Sequence, residues 1–163
     1  MFDDREERAY TVCFTGHRPP KCYSNDPVLR AAIAAAIDRA IAEGFTEFMG
    51  GMALGADTVF AEEVLARRDA GAPIRFAAAV PCETQDARWS PAEQRHYRRL
   101  LAEADTVAVM CPQYEPYCMN ARNRYMVENS RRLIAAWDGS NGGTANTVRL
   151  AEDYGLEIIR LYW

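Results

Sequence analysis

No apolar run in this chain of 163 residues approaches the roughly 20 that a helix needs to cross a bilayer. The first eight residues, Met1-Phe2-Asp3-Asp4-Arg5-Glu6-Glu7-Arg8, carry no hydrophobic export core. They read as a frayed polar lead to a cytoplasmic domain. The five cysteines contain no C-x-x-C pair, and His17 and His96 are the two histidines, so no zinc-type spacing arises and no metal is expected. Free and mostly buried thiols are the expectation, with Cys111 and Cys118 as packing residues. Basic residues number 19 against 23 acidic ones, a net charge of −4. That balance disfavours a broad surface for nucleic acid or anionic lipid and leaves room for a local positive pocket. No repeat, low-complexity tract or linker interrupts the chain, which implies one domain over residues 1–163 with one core.

What the chain has is alternation. Tyr10 to Phe14 reads as a first strand, and Leu29, Ile33, Ile37 and Ile41 then put an apolar stripe on a helix. A second strand over 45–49 precedes a helix with Ala56, Phe60 and Val64 on one face. A third strand over 74–80 precedes a helix opened by Pro91. A fourth strand over 106–110, a helix over 119–129, a fifth strand over 133–137, a helix over 144–154 and a sixth strand over 156–161 complete the series. Near-continuous apolar strands belong to parallel sheets covered on both faces. The fold class is therefore α/β: a three-layer, Rossmann-like domain with a six-stranded parallel sheet and right-handed crossovers. The predicted strand order is 3-2-1-4-5-6, with the switch point between strands one and four, which brings Arg18 near Tyr114.

The unusual residues collect after strands. Thr15-Gly16-His17-Arg18-Pro19-Pro20 follows the first, Gly50-Gly51-Met52-Ala53-Leu54-Gly55-Ala56-Asp57 the second, and Pro81 to Trp89 the third. Tyr114 to Arg124 follows the fourth, and Asp138-Gly139-Ser140-Asn141-Gly142-Gly143-Thr144 the fifth. All five lie at carboxyl ends of strands, the rim where open α/β sheets bind ligands. The last combines glycines with a helix N-terminus, whose unpaired N–H groups and partial positive charge suit a phosphate. Gly142, Gly143 and Thr144 are the candidate phosphate cradle, and Gly50, Gly51 and Gly55 a second contact. Arg18 offers a bidentate guanidinium, and His17 a hydrogen bond donor or a strand-end structural contact. Asp57 in the first turn of a helix caps N–H groups or meets a ribose hydroxyl. Asp138 orients the glycine turn or touches the ligand. Arg122 and Arg124 cannot both face one ligand, because a helix turns about 100° per residue; one is expected inward, the other in a salt bridge with Glu128. Trp89 either stacks on a base or anchors its own loop.

Taken together, Thr15-Gly16-His17-Arg18-Pro19, Gly51 to Asp57, Gln85 with Trp89, Arg122 to Val127, and Asp138 with Gly142-Gly143-Thr144 resemble the YpsA-like branch of the SLOG superfamily. That superfamily also contains the LOG phosphoribohydrolases and the DprA (Smf) DNA-processing proteins. The resemblance runs from about residue 10 to the C-terminus. It implies a Rossmann-like fold and a nucleotide or nucleotide-derived ligand. In the LOG enzymes the pattern P-G-G-x-G-T-x-x-E supplies a catalytic glutamate, whereas Thr144 is here followed by Ala145-Asn146-Thr147-Val148. Binding or sensing of a phosphate-bearing small molecule is thus the first expectation, leaning against an enzyme. A LOG-type phosphoribohydrolase and a DprA-like single-stranded DNA binder are the alternatives. A homodimer paired through helices fits Rossmann-like relatives.

Overall fold

The computed structural model describes residues 4–163, in which six helices and six strands alternate strictly, starting from a short leading helix, α1 (Asp4–Ala9). The strands are β1 (Thr11–Gly16), β2 (Glu47–Gly50), β3 (Arg75–Cys82), β4 (Thr106–Cys111), β5 (Arg132–Ala136) and β6 (Glu157–Leu161). Between them run α2 (Pro27–Ala42), α3 (Ala56–Asp69), α4 (Pro91–Glu103), α5 (Cys118–Glu128) and α6 (Gly143–Asp153). Local chemistry sets the boundaries. The Asp26 carboxylate accepts the N–H groups of Val28 and Leu29 at 2.9 and 3.3 Å, and Pro27 opens α2. Ser90 and Glu93 close a reciprocal capping box on α4. Among the described residues no helix is long and apolar enough to cross a membrane.

All five strand pairings are parallel, in the order β4-β3-β2-β1-β5-β6. The Rossmann-like, six-stranded parallel class is as read from the sequence; the place of β4 differs. The sequence reading put it beside β1, and the structure puts it outside β3, with β5 taking the position next to β1. Crossovers of one hand explain this. Three successive right-handed steps in one direction lay α2, α3 and α4 on one face, and α5 returns across the other face to start β5 on the far side of β1. Val107 and Val109 of β4 are 47% and 42% exposed, as an edge strand allows. The switch point therefore lies between β1 and β5.

Alternating strand side chains feed two cores. Val12, Phe14, Phe48, Phe76 and Ile134 pack with Leu29, Ile33, Ile37, Phe60, Val64 and Leu100 on the α2–α3–α4 side. Cys13, Met49, Ala79, Leu133 and Ala135 pack with Met126, Val127, Val148 and Ala151 under α5 and α6. Much of the octet read as a frayed lead is instead α1. Arg8 Nε donates to the Ser130 carbonyl at 3.1 Å, and the Thr11 hydroxyl donates to the Glu7 carbonyl at 2.7 Å, which ties the helix to the sheet; residues 1–3 lie outside the described residues. The cysteines also depart from expectation. Cys111 and Cys118 form a disulfide across the β4–α5 connection, while Cys13, Cys22 and Cys82 are free and buried.

Candidate functional site

Chain segments far apart in sequence meet at the carboxyl ends of β1, β2 and β5 around a cavity of about 350 Å³. The β1 end contributes Thr15, Gly16, His17 and Arg18; the start of α3 contributes Asp57; α5 contributes Asn120, Arg122 and Asn123; α6 contributes Gly143, Thr144 and Thr147. Arg18 and Gly143 share this cavity, as the rim reading requires. Tyr114, expected near Arg18, stands exposed outside it because the β4–α5 connection begins at the sheet edge.

The floor holds two buried charges. Asp57 is 6% exposed and Arg122 is 5% exposed. Arg122 Nη1 donates to the Gly51 carbonyl at 2.7 Å and its Nε to Asn123 Oδ1 at 2.8 Å. Asp57 Oδ2 accepts the Ala53 N–H at 3.1 Å, and its Oδ1 is buried with no hydrogen-bond partner among the described residues. Burial raises the Asp57 carboxyl to about 6, against the pull of Arg122, the Ala53 N–H and Arg18. Burial also lowers Arg122 from its usual value, opposed by Asp57.

His17 joins the floor to the phosphate-type end. Its Nε2 lies 3.0 Å from Asp138 Oδ1 and also receives the Asp138 backbone N–H at 3.1 Å; its Nδ1 is 3.5 Å from Thr144 Oγ1. A neutral imidazole uses the first nitrogen as acceptor from the backbone, and a protonated one donates to the carboxylate. Desolvation holds His17 below its ordinary value, despite Asp138. Asp138 makes the expected Asx-type bond, its Oδ1 accepting the Ser140 N–H at 2.9 Å. The Ser140 hydroxyl, that backbone bond and Lys21 keep its carboxyl well below the usual range. Lys21 also donates to the Ser140 hydroxyl, pinning the β1–α2 loop to the glycine turn.

The glycines divide into two kinds. Gly142 has φ +139° and no side chain caps α6; of that end, Gly143 and Thr144 line the cavity and Gly142 does not. Gly50, Gly51 and Gly55 do not line the cavity. A Cβ on Gly50 would press on Phe60, and one on Gly51 would collide with the Arg122 guanidinium. Gly55 has φ +87°, and a Cβ there would sit 2.7 Å from the Cys22 carbonyl and 2.8 Å from that of His17. These three glycines admit the protein's own chain, a packing role, and lie outside the cavity lining. Gly55→Ala is accordingly expected to lose about 2–4 kcal/mol, from the positive φ and the clash together. Urea denaturation checks this; a loss under about 1 kcal/mol contradicts the packing role.

Arg122 is the inward arginine. Arg124 points to solvent, its Nη1 3.2 Å from the Tyr154 hydroxyl and 4.0 Å from Glu128. Trp89 faces a separate apolar cavity and packs edge-on against Tyr97 at 5.0 Å, which makes it a loop anchor. Gln85 ties that loop down by donating to the Met52 carbonyl at 3.2 Å. The sequence reading missed Lys21 and Asn120. Asn120 and Asn123 are three apart on the α5 face that also carries Met119 and Met126, and a polar pair on an otherwise apolar stripe was the available signal. Lys21 gave none, since its place depends on the loop that carries it.

Comparison with known proteins agrees with this architecture. YoqJ, an uncharacterized SPbeta prophage-derived protein of Bacillus subtilis (strain 168), is 28% identical over 149 residues, covering 82% of this chain and 87% of its own length. A UPF0398 protein of Bacillus pumilus (strain SAFR-032) is 24% identical over 152 residues, covering 88% and 82%. Among solved structures, DNA processing protein A of Streptococcus pneumoniae superposes with a TM-score of 0.67 at 18% identity, over 93% of this chain and 50% of that one. DNA processing protein A of Helicobacter pylori, described for its single-stranded DNA binding mode, gives 0.67 at 17% identity, over 96% and 66%. The chain thus spans half to two-thirds of those structures, and the likeness is one of fold. The model of the YspA SLOG family matches residues 12–156, which takes in every wall of the cavity, and the chain belongs to that family.

Proposed function

We propose that the protein binds a phosphate-bearing, nucleotide-derived small molecule in this cavity. The phosphate rests on the N-terminus of α6 at Gly143 and Thr144, with His17 and Arg18 beside it. Asp57 lines the cavity, and a small turn of its carboxylate that uncovers Oδ1 lets a sugar hydroxyl donate to it. That unpartnered, buried oxygen is the observation that carries the reading. A buried acceptor left empty is costly, and a hydroxyl on the ligand relieves it. Arg122 fixes the floor and keeps Asp57 available as an acceptor at neutral pH. The cavity volume falls at the low end for small-molecule sites.

Thermal shift with nucleosides, their 5′-monophosphates and an oligodeoxythymidylate tests this. Monophosphates at about 100 times Kd are expected to add about 2.7 kcal/mol, a rise of roughly 5–10 °C for a domain of this size. Unphosphorylated nucleosides are expected to give much less. A shift with the oligonucleotide and none with mononucleotides overturns the reading in favour of single-stranded DNA, the ligand class named for the Helicobacter relative; the net charge of −4 speaks against that outcome.

Little or no cleavage of nucleoside monophosphates to free base is expected. Thr147 occupies the place of the LOG glutamate, and its hydroxyl is already donated to the Gly143 carbonyl at 3.0 Å. Losing one acid–base group typically removes ~10²–10⁴-fold in rate. Chromatography of released base checks this. Turnover near about 1 per second or faster, abolished by Asp138→Asn, would make the protein an enzyme with a relocated carboxylate.

A further inference from the structure

Three sulfurs meet where β3 and β4 end. Cys82 and Cys111 are register partners on these adjacent parallel strands, and Cys118, the first residue of α5, packs in the same buried cluster. Cys111 and Cys118 are bonded, and Cys82 keeps its thiol. Cys118 lies one helical turn before Arg122, and Met119, Asn120 and Asn123 of the same two turns line the cavity. The N-cap of α5, Tyr117, makes no side-chain capping bond. The covalent link to β4 thus tethers the end of the helix that carries one wall of the site.

We infer that Cys82, Cys111 and Cys118 form a thiol–disulfide switch that clamps the first turn of α5 and, through it, the Arg122 wall of the cavity. Two equivalents of a low-molecular-weight thiol open the clamp. The Cys111–Cys118 bond breaks, both sulfurs become thiols, and the reductant leaves as its disulfide. Oxidised glutathione runs the same reaction backwards. An internal route needs no outside reagent. The Cys82 thiolate attacks Cys111 Sγ, the Cys82–Cys111 bond forms, and the electron pair of the broken bond leaves on Cys118 Sγ. The proton lost by Cys82 ends on Cys118 or in water, with no net oxidation. Cys118 is the better leaving group because it heads a helix and the Glu115 N–H donates to its Sγ at 3.2 Å. The product keeps one disulfide between β3 and β4 and releases α5.

The test uses the full chain, oxidised with oxidised glutathione or reduced with a phosphine, then alkylated and mapped by peptide mass. Amide hydrogen exchange over 118–123 and affinity for adenosine 5′-monophosphate are read on each form. Expected are a Cys111–Cys118 peptide in the oxidised wild type and a Cys82–Cys111 peptide in oxidised Cys118→Ser. Exchange at the start of α5 should be about tenfold faster in the reduced protein and in Cys118→Ser, with nucleotide affinity about tenfold weaker. Equal exchange in oxidised and reduced wild type overturns the clamp. A Cys82 that stays alkylatable in oxidised Cys118→Ser overturns the internal route. The affinity measurement rests on the ligand reading above, and the exchange measurement does not: an exchange response with no mononucleotide bound by either form supports the clamp and rejects the ligand.

Discussion

Arg122→Met is expected to lose about 3–5 kcal/mol of folding stability at pH 7, because it leaves the Asp57 carboxylate buried without its cation. The Gly51 carbonyl loses its donor at the same stroke. In an Asp57→Asn background the same substitution should cost far less, with a coupling on the order of 2 kcal/mol in the double-mutant cycle. The effect carries a pH signature. The folded Asp57 carboxyl, at about 6, holds its proton more tightly than the unfolded one near 3.8. Its contribution to stability is therefore full below about pH 4 and is lost as pH rises through about 6. The Arg122→Met deficit should accordingly shrink at about pH 4.5, and Asp57→Asn should flatten the wild-type decline between about pH 4 and 6. Urea denaturation at the two pH values reads both. An equal Arg122→Met loss in the wild-type and Asp57→Asn backgrounds rejects the coupling.

Gly143→Asp is expected to weaken binding of nucleoside monophosphates by about a hundredfold while leaving the free protein within about 0.5 kcal/mol of wild type. A Cβ on Gly143 meets nothing within 4 Å, so the fold has room for the side chain. The introduced carboxylate instead occupies the positive end of α6 and repels the incoming phosphate. Gly143→Ala, which adds volume without charge, should retain most of the affinity. Calorimetric titration of the three proteins decides it: unchanged binding by the aspartate variant removes the phosphate from α6, and a large loss of stability in the free variant assigns Gly143 to the turn instead.

Much of the fold was legible because buried parallel strands and amphipathic helices leave different periodicities. The position of β4 was not. Thr106 to Cys111 is as apolar as a central strand, and its edge place depends on the direction of three successive crossovers, which no local pattern records. The two arginines of α5 show the opposite case. The 100° step per residue already required that they diverge, and the shared face with Met119, Asn123 and Met126 selects Arg122 for the interior. Gly51 and Gly55 looked like ligand-facing glycines and serve close contacts within the chain. A requirement for no side chain is visible in sequence; what fills the space is not. The Cys111–Cys118 bond was hidden for a related reason, since a spacing of seven residues has no meaning until the connection between β4 and α5 is known to double back.

The contact between His17 and Thr144 joins positions 127 apart in the chain. The β1 end and the glycine turn therefore become one wall only when the last helix docks. A growing chain that has completed β1 to β4 already holds most of its α2–α3–α4 core, yet it presents no second side to a ligand. The cavity is completed late in folding, when this long loop closes. A molecule bound as proposed would act as a cross-brace between β1 and α6. Its presence should raise the free energy of whole-domain opening, seen in the slowest-exchanging amides of β1 and β5, more than that of fraying at any single element.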